Sequence, residues 1–195
     1  MSTQSKTLFS PEEYLELERK AEYKSEYYNG EIFAMSGGSR RHDWIATQLS
    51  RLIENHLEGS ACTTHSANMR VLVQPKMYTY PDYSVTCEEP RYADDKVDTL
   101  INPSFLVEIL SPSTEMYDRG VKATLYRDLP SLQELLLIAQ DSYEIELYRR
   151  EADGRWSIAK STGLEASVEL RSIGYTLQLR ELYRKVIAHQ PRGDN

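Results

Sequence analysis

The chain reads FLVEILSPSTEMYDRGVKATLYRDLPSLQELLLIA over residues 105–139, and this stretch decides the fold. Short apolar runs at 105–110 and 134–139 flank a helix-forming segment, 114–129, that ends at Pro130. Apolar runs of this length between turn signals are typical of buried strands. Because two strands joined by a crossover helix run parallel in one sheet, the stretch predicts an α/β domain.

Hairpin signals on either side of this unit add antiparallel strands to the predicted sheet. Asn29-Gly30 separates two runs of aromatic and β-branched residues, and Asp153-Gly154 separates two further strand-like runs. Dipeptides of this kind suit tight hairpin turns, whose central residues take positive φ values. The predicted architecture is a single domain with a mixed β-sheet core flanked by helices.

Helix caps and apolar spacing predict three further helices, and extended patterns predict further strands. Ser10 and Glu13 form a capping box around Pro11, which is favourable at the first helical position. The predicted helices cover about 10–20, 42–58 and 180–188. The predicted strands include 69–73 and 78–86, and residues 88–103 are expected to form a long surface loop.

The bulk properties fit one domain over residues 10–188, with a flexible N-terminus, 1–9, and a flexible tail, 189–195. No apolar run approaches the roughly 18 residues of a membrane span, so no membrane partner is expected. Cys62 and Cys87 lack zinc-ligand spacing, and free thiols in a cytoplasmic protein are expected. The net charge of −7 disfavours tight binding of nucleic acid, but it describes no local face and does not exclude a nuclease.

Glu108 is the most informative residue for chemistry. A lone carboxylate inside FLVEIL has to face a cation, a partner or a water-filled cleft, because burying an unpaired charge is costly. Asp82, within the aromatic run YPDYSV, is a second acid in a strand-like segment. Two such carboxylates that converge form a hard oxygen site for Mg²⁺ or Mn²⁺. An ion of this kind activates water and stabilises the charge of an attacked phosphodiester.

Structural interpretations of the same residues stay open. Asp82 can cap a turn, and Glu108 can pair with an arginine. Asp118, Lys122 and Tyr126 follow each other at intervals of four residues, so they share one helix face. If that face turns toward the carboxylates, Lys122 can position the attacking water or offset the charge of the phosphate. The alternative for Lys122 is an exposed ion pair with Asp118.

Four segments carry a family resemblance: EYYNGEIFAMSGGSRRH, YTYPDYSV, LVEILSPSTEMYDRGVKATLYRDLPSLQELLLI and IELYRREADGRW. Their order and spacing resemble the Uma family of restriction endonucleases, which belongs to the PD-(D/E)XK nuclease superfamily. The resemblance runs from about Tyr14 to Tyr183. It implies the restriction-endonuclease-like fold, in which helices flank a mixed sheet with a parallel centre.

The resemblance also implies a site. Asp82 corresponds to the PD aspartate, and Glu108 corresponds to the acid of the second half-motif. The residue two after Glu108 is Leu110, where the superfamily motif has lysine. In similar families this lysine lies on the following helix, in the position that Lys122 matches. The carbonyl of Ile109 is then expected as a backbone ligand of the metal.

Three further matches to the family pattern lie in the N-terminal part of the chain. Glu26 and Glu31 surround the hairpin glycine, and His42 begins the second helix. Glu31 is an additional candidate for a catalytic acid, although a glutamate in a hairpin is commonly only solvated. His42 is expected to be a residue of the helix start rather than a catalytic base.

The expected function is a DNA endonuclease that depends on Mg²⁺ or Mn²⁺. Asp82, Glu108 and Ile109 are the expected metal ligands, and Lys122 and Glu31 join the two acids as expected catalytic residues. One alternative is a catalytically silent binding or regulatory module with the nuclease fold, which the negative charge favours. Another is a metal-dependent hydrolase of a different phosphate ester. DNA is the expected partner, and a homodimer is a further expectation.

Overall fold

The computed structural model of the chain describes residues 8–35 and 37–189. The predicted flexible termini therefore lie outside the described residues, apart from Leu8, Phe9 and His189. Within the described ranges, no helix is both long and apolar enough to cross a membrane.

The described residues form strands and helices in a mixed order. The strands are β1 (Ser25–Tyr28), β2 (Glu31–Ala34), β3 (Thr63–Ser66), β4 (Arg70–Gln74), β5 (Met77–Thr79), β6 (Tyr83–Thr86), β7 (Thr99–Leu100), β8 (Phe105–Leu110), β9 (Glu134–Ala139), β10 (Glu144–Arg150), β11 (Trp156–Thr162), β12 (Ser167–Leu170) and β13 (Tyr175–Gln178). The α-helices are α1 (Pro11–Glu18), α2 (Arg40–Leu57), α3 (Glu115–Tyr117), α4 (Ala123–Tyr126), α5 (Leu179–Leu182) and α6 (Arg184–Ala188). A π-helical turn (Asp118–Lys122) joins α3 to α4, and a 3₁₀ turn (Arg171–Ile173) precedes β13.

The central sheet has six strands in the order β11-β10-β9-β8-β6-β3. β8 and β9 run parallel in full register, from Phe105 opposite Glu134 to Leu110 opposite Ala139. The other neighbouring strands of this sheet are antiparallel. The predicted mixed sheet with a parallel central pair is therefore confirmed, and the helical segment between β8 and β9 is its crossover.

Helices cover both faces of this sheet. Successive side chains of β8 point to opposite faces, so each face of β8 contributes to a different core. Val107 packs in a core that includes Ile45 of α2. Leu106 packs in a separate core that includes Tyr126 of α4. Glu108 shares the face of Leu106, so the pattern of the strand directs its carboxylate toward the crossover helix.

A second sheet has the order β2-β1-β5-β4-β7, and Asp82 lies in the connection from this sheet to the central one, where it accepts the N–H of Ile109 in β8. The predicted strand 78–86 is wrong, because it divides into β5 in this sheet and β6 in the central sheet. Pro81 lies in the connection, where it lacks the N–H that would continue a ladder. β6 begins directly after Asp82 and pairs antiparallel with β8. One further step of the same register brings Asp82 across from Glu108.

Three other segments differ from their prediction. The predicted helix 114–129 is interrupted by the π-helical turn, in which Gly120 has a low preference for the α-helix. The predicted terminal helix divides into α5 and α6 at Tyr183, whose hydroxyl bonds to the carbonyls of Ala139 and Glu144. The predicted surface loop contains the buried strand β7. The β12–β13 hairpin was not predicted, because its strands have only four residues each.

Cys62 and Cys87 form a disulfide, so the expectation of free thiols is wrong. β3 pairs with β6 so that Thr63 lies opposite Thr86, and the two cysteines come side by side just beyond this ladder. The pairing of strands that are separated by β4 and β5 has no signature in local sequence. Because the cysteines are paired, they do not support the expectation of a reducing cytoplasm.

Tyr80 anchors the segment that leads into Asp82. Its buried hydroxyl donates to Glu18 of α1 at 2.9 Å and accepts from Arg70 of β4 at 3.1 Å. Glu18 also accepts the backbone N–H of Ser25 at 2.9 Å. This network connects α1, β1 and β4 to the turn between the two sheets, and it fixes the start of β6.

We predict that Tyr80→Phe lowers the free energy of unfolding by about 2 kcal/mol, since two buried charged groups lose a hydrogen-bond partner. Denaturant unfolding measures the change. Tyr23→Phe is the matched control, because Tyr23 is 70% exposed, and this variant is expected to stay within about 0.5 kcal/mol of the parent protein. Equal stability of the two variants would contradict the anchoring role of Tyr80.

Candidate active site

Lys122 lies at the centre of a cluster of carboxylates that different elements supply. Its Nζ is 3.0 Å from Glu108 Oε1 and 2.9 Å from Glu26 Oε1, and Asp118 Oδ1 is 3.9 Å away. β8 supplies Glu108, β1 supplies Glu26, and the π-helical turn supplies Asp118 and Lys122. An exposed ion pair between Asp118 and Lys122 is not formed, because both side chains are buried.

The position of Lys122 depends on its four-residue spacing from Asp118 and Tyr126 and on the π-helical geometry of the crossover segment. Asp118, Lys122 and Tyr126 lie along the side of the segment that faces β8, as their four-residue spacing predicts. The turn that contains Asp118 and Lys122 is π-helical, a geometry that occurs frequently at functional sites. Lys122 reaches Glu108 from the crossover segment and not from β8 itself.

Glu108 is buried, with 5% of its surface exposed. Its Oε1 accepts a hydrogen bond from Tyr126 Oη at 2.6 Å and also faces Lys122, and neither contact uses Oε2. Burial raises the pKa of Glu108 to about 8, against the opposing effect of the Lys122 charge. Glu108 thus has Lys122 and Tyr126 as partners. The alternative of an arginine partner, which the sequence left open, is wrong.

Both oxygens of Asp82 are engaged by neighbouring elements. Oδ2 accepts the backbone N–H of Ile109 at 2.7 Å, and Oδ1 lies 3.1 Å from Nε2 of His42. The hydrogen bond with Asp82 raises the pKa of His42 above its ordinary value, although burial opposes this effect. His42 is the third residue of α2 and donates its backbone N–H to the cap residue Ser39, so it is a residue of the helix start whose ring reaches the site.

The backbone of Ile109 faces the same side as Asp82. Its N–H donates to Asp82, whereas the carbonyl of Leu110 accepts from Gln140 at the end of β9. Backbone groups of successive strand residues point to opposite neighbours, so the carbonyl of Ile109 also belongs to the side of Asp82. Asp82, Glu108 and this carbonyl offer oxygen donors only.

The charge balance of the cluster fits a divalent cation. Its carboxylates come from Glu26, Asp82, Glu108 and Asp118, and burial raises the pKa of Asp118. Among residues 8–35 and 37–189, Lys122 is the one lysine in contact with them. Within the described ranges, no group of three or more His, Cys, Asp or Glu side chains forms a ready metal cage. Mg²⁺ is commonly held by one or two carboxylates with several waters, so two acids and a carbonyl fit this ion without such a cage.

The two glutamates of the hairpin have different positions. Glu26 contacts Lys122, and Glu31 begins β2 opposite Tyr28. Paired residues and residues two apart share one face of a sheet, so Glu31 lies on the same face as Glu26, closer to the turn. Glu26 was not predicted as a site residue. Its place in the alternation of SEYY, between the buried Ser25 and Tyr27, is the signal that marks it as a residue of the opposite face.

We predict that Glu108→Gln becomes more stable relative to the parent protein as the pH rises from about 5 to about 9, by about 1 kcal/mol or more. The raised pKa means that the folded protein retains a proton that the unfolded chain releases above pH 4.5. Stability from Glu108 is therefore lost between about pH 4.5 and 8, and glutamine removes this loss.

Chelator-treated protein, unfolded by denaturant at each pH, provides the measurement. Glu88→Gln, in an exposed loop, is the matched control and is expected to show no such trend. A stability difference for Glu108→Gln that does not depend on pH would contradict the raised pKa.

Comparison with known proteins identifies a family and two relatives of this chain. A family model named Uma2 and described as "Putative restriction endonuclease" matches residues 11–180. An uncharacterized protein of Synechocystis sp. is 44% identical over 177 residues, which cover 90% of this chain and 91% of that protein. A second uncharacterized protein of the same organism is 35% identical over 158 residues, which cover 80% and 89%.

A solved structure shares the fold. The crystal structure of "a putative nuclease belonging to DUF820" from Anabaena variabilis aligns with a TM-score of 0.74, over 90% of this chain and 98% of that one. Its sequence identity is 20%, so the likeness concerns the fold alone. The family model, in contrast, covers most of the chain, and the chain therefore belongs to the Uma2 family of restriction-endonuclease-like proteins.

Proposed function

We propose that the protein is a DNA endonuclease that depends on Mg²⁺ or Mn²⁺. The observation that carries the proposal is the position of Asp82 across from Glu108, with Lys122 in contact with Glu108. The family description supports a nuclease, and the surplus of carboxylates supports a cation. DNA as the substrate follows from the family resemblance, and a homodimeric assembly is a further part of the proposal.

Asp82, Glu108 and the carbonyl of Ile109 would hold the ion. When bound, the ion supplies Lewis-acid stabilisation of the phosphate oxygen and lowers the pKa of the attacking water. Asp82 is oriented for binding by the N–H of Ile109, and Glu108 is oriented by the hydroxyl of Tyr126. These two hydrogen bonds reduce the side-chain freedom that binding would otherwise have to remove.

Lys122 supplies a fixed positive charge. Burial alone disfavours this charge, but Glu108, Tyr126 and Glu26 raise the pKa of Lys122 well above its ordinary value. The ammonium group therefore stays protonated and does not act as a base. It can orient the attacking water by donating a hydrogen bond to it. In the reaction, the water oxygen forms a bond to phosphorus and releases one proton to bulk water, one ester P–O bond breaks, and the departing oxygen takes up one proton from bulk water. Lys122 offsets the negative charge that develops on the phosphate.

Glu31 and His42 have supporting roles in the proposal. Glu31 is retained as an additional acid at the turn end of the hairpin, on the face that carries Glu26. His42 holds Asp82 through its Nε2 atom and limits the rotation of that carboxylate.

We predict that Asp82→Ala, Glu108→Ala and Lys122→Ala each lower the rate of DNA cleavage by about 100-fold or more, because each removes charge that acts in the transition state. Supercoiled, linear and single-stranded DNA with Mg²⁺ or Mn²⁺ are the substrates. Glu88→Ala is the control, since Glu88 is exposed and remote from the cluster in sequence and register.

Calorimetric titration with Mn²⁺ separates the roles of these residues. Asp82→Ala and Glu108→Ala are expected to abolish binding, and Lys122→Ala is expected to preserve it. Cleavage that persists at the parent rate in either acid variant would overturn the proposal. Hydrolysis of simple phosphodiesters without cleavage of DNA would indicate a different phosphate ester as substrate. Binding of DNA without metal binding or cleavage would indicate a catalytically silent module with the nuclease fold.

A further inference from the structure

Lys122 is shared between two carboxylates on different sheets. Its distance to Glu26 Oε1 is 2.9 Å and its distance to Glu108 Oε1 is 3.0 Å. Glu108 belongs to the central sheet, and Glu26 belongs to the second sheet. Asp118, at 3.9 Å, is beyond the distance of a hydrogen bond. Lys122 therefore has two carboxylate partners at nearly equal distance.

Glu26 is itself held in place by β5. Its Oε1 accepts hydrogen bonds from the hydroxyl of Thr79 and, at 3.4 Å, from the backbone N–H of Tyr80. The hydroxyl of Thr79 lies 3.4 Å from that of Tyr126, which donates to Glu108. The contacts thus close a ring that runs from Lys122 through both glutamates and both hydroxyls. These contacts distinguish Glu26 from a solvated surface glutamate.

Glu108 and Glu26 have different roles in the proposed reaction. Glu108 is a proposed ligand, and a cation bound there weakens its attraction for Lys122 and repels the ammonium group. Lys122 is 5% exposed, so solvent cannot replace a lost partner cheaply. Glu26 lies on the other side of Lys122, so it can still attract the ammonium group when Glu108 binds the cation.

We infer that Glu26 is the positioning residue of Lys122: it holds the ammonium group in the site while Glu108 serves the cation. This inference rests on the proposed function for its kinetic consequence. It makes the β1–β2 hairpin a part of the catalytic machinery, although Glu26 contacts neither the reacting phosphate nor the ion. It also gives the glutamate of the first strand a role distinct from that of Glu31.

Kinetics provide the first test, on the full chain with Glu26→Gln and with Glu22→Gln as the exposed control. Glu26→Gln is expected to lower kcat about tenfold or more while KM and the calorimetric Kd for Mn²⁺ stay within about twofold. In a Lys122→Ala background the same substitution is expected to have no further effect, because the residue to be positioned is gone. Additive losses, an unchanged kcat or a Kd weakened about tenfold would each overturn the inference.

Chemical labelling tests the same inference without catalysis. Acetic anhydride labels accessible amines, and mass spectrometry reports the extent at Lys122 with and without Mn²⁺. In the parent protein, Lys122 is expected to stay protected in both conditions. In Glu26→Gln with Mn²⁺, its labelling is expected to rise about fivefold or more, and Glu26→Asp, which keeps the charge, is expected to stay closer to the parent protein.

The labelling result separates the inference from the proposed function. If the parent protein cleaves no DNA but Lys122 becomes accessible in Glu26→Gln, the proposed function fails and the positioning role stands. Equal protection of Lys122 in the parent protein and in Glu26→Gln, with Mn²⁺ present, overturns the positioning role whatever the nuclease assay shows. Far-UV circular dichroism confirms that each variant is folded before it is labelled.

Discussion

The contact between Glu108 and Lys122 is the interaction on which the rest of the structure depends. A carboxylate in the middle of the buried strand β8 is tolerable only with a cation and hydrogen-bond donors against it. This constraint fixes which face of the crossover segment meets the sheet, because Lys122 and Tyr126 have to be directed toward β8. The same constraint leaves the cluster with more negative than positive groups, and a site with this balance is suited to a second cation.

The remaining parts of the site follow from how the chain passes between its two sheets. Pro81 ends the pairing of β5, and Asp82 enters the gap beside β8, where the N–H of Ile109 holds it. The second sheet returns Glu26 to the opposite side of Lys122. Two sheets and one crossover thus bring together residues that are far apart in sequence. The chemistry depends on this junction more than on any single element.

Much of this arrangement was accessible from sequence, for identifiable reasons. Glu108 stands out because a single charge in an apolar strand requires an explanation, and the β8–β9 crossover follows from the lengths of its parts. Lys122 needed the family resemblance, since it lies on the helix and not beside the glutamate. Glu26 and the pairing of Cys62 with Cys87 depend on contacts between elements that are distant in sequence, and local patterns do not specify such contacts.

Crystals of the protein soaked in Mn²⁺ and measured by anomalous diffraction test the central claim most directly, because the ion is located independently of any activity. The account predicts one anomalous peak between Asp82 and Glu108, at about 2.2 Å from their oxygens and from the carbonyl of Ile109. It also predicts that Lys122 stays in contact with Glu26 in that state. The absence of a peak at these carboxylates, or a peak that is unchanged in Glu108→Ala crystals, would contradict the account.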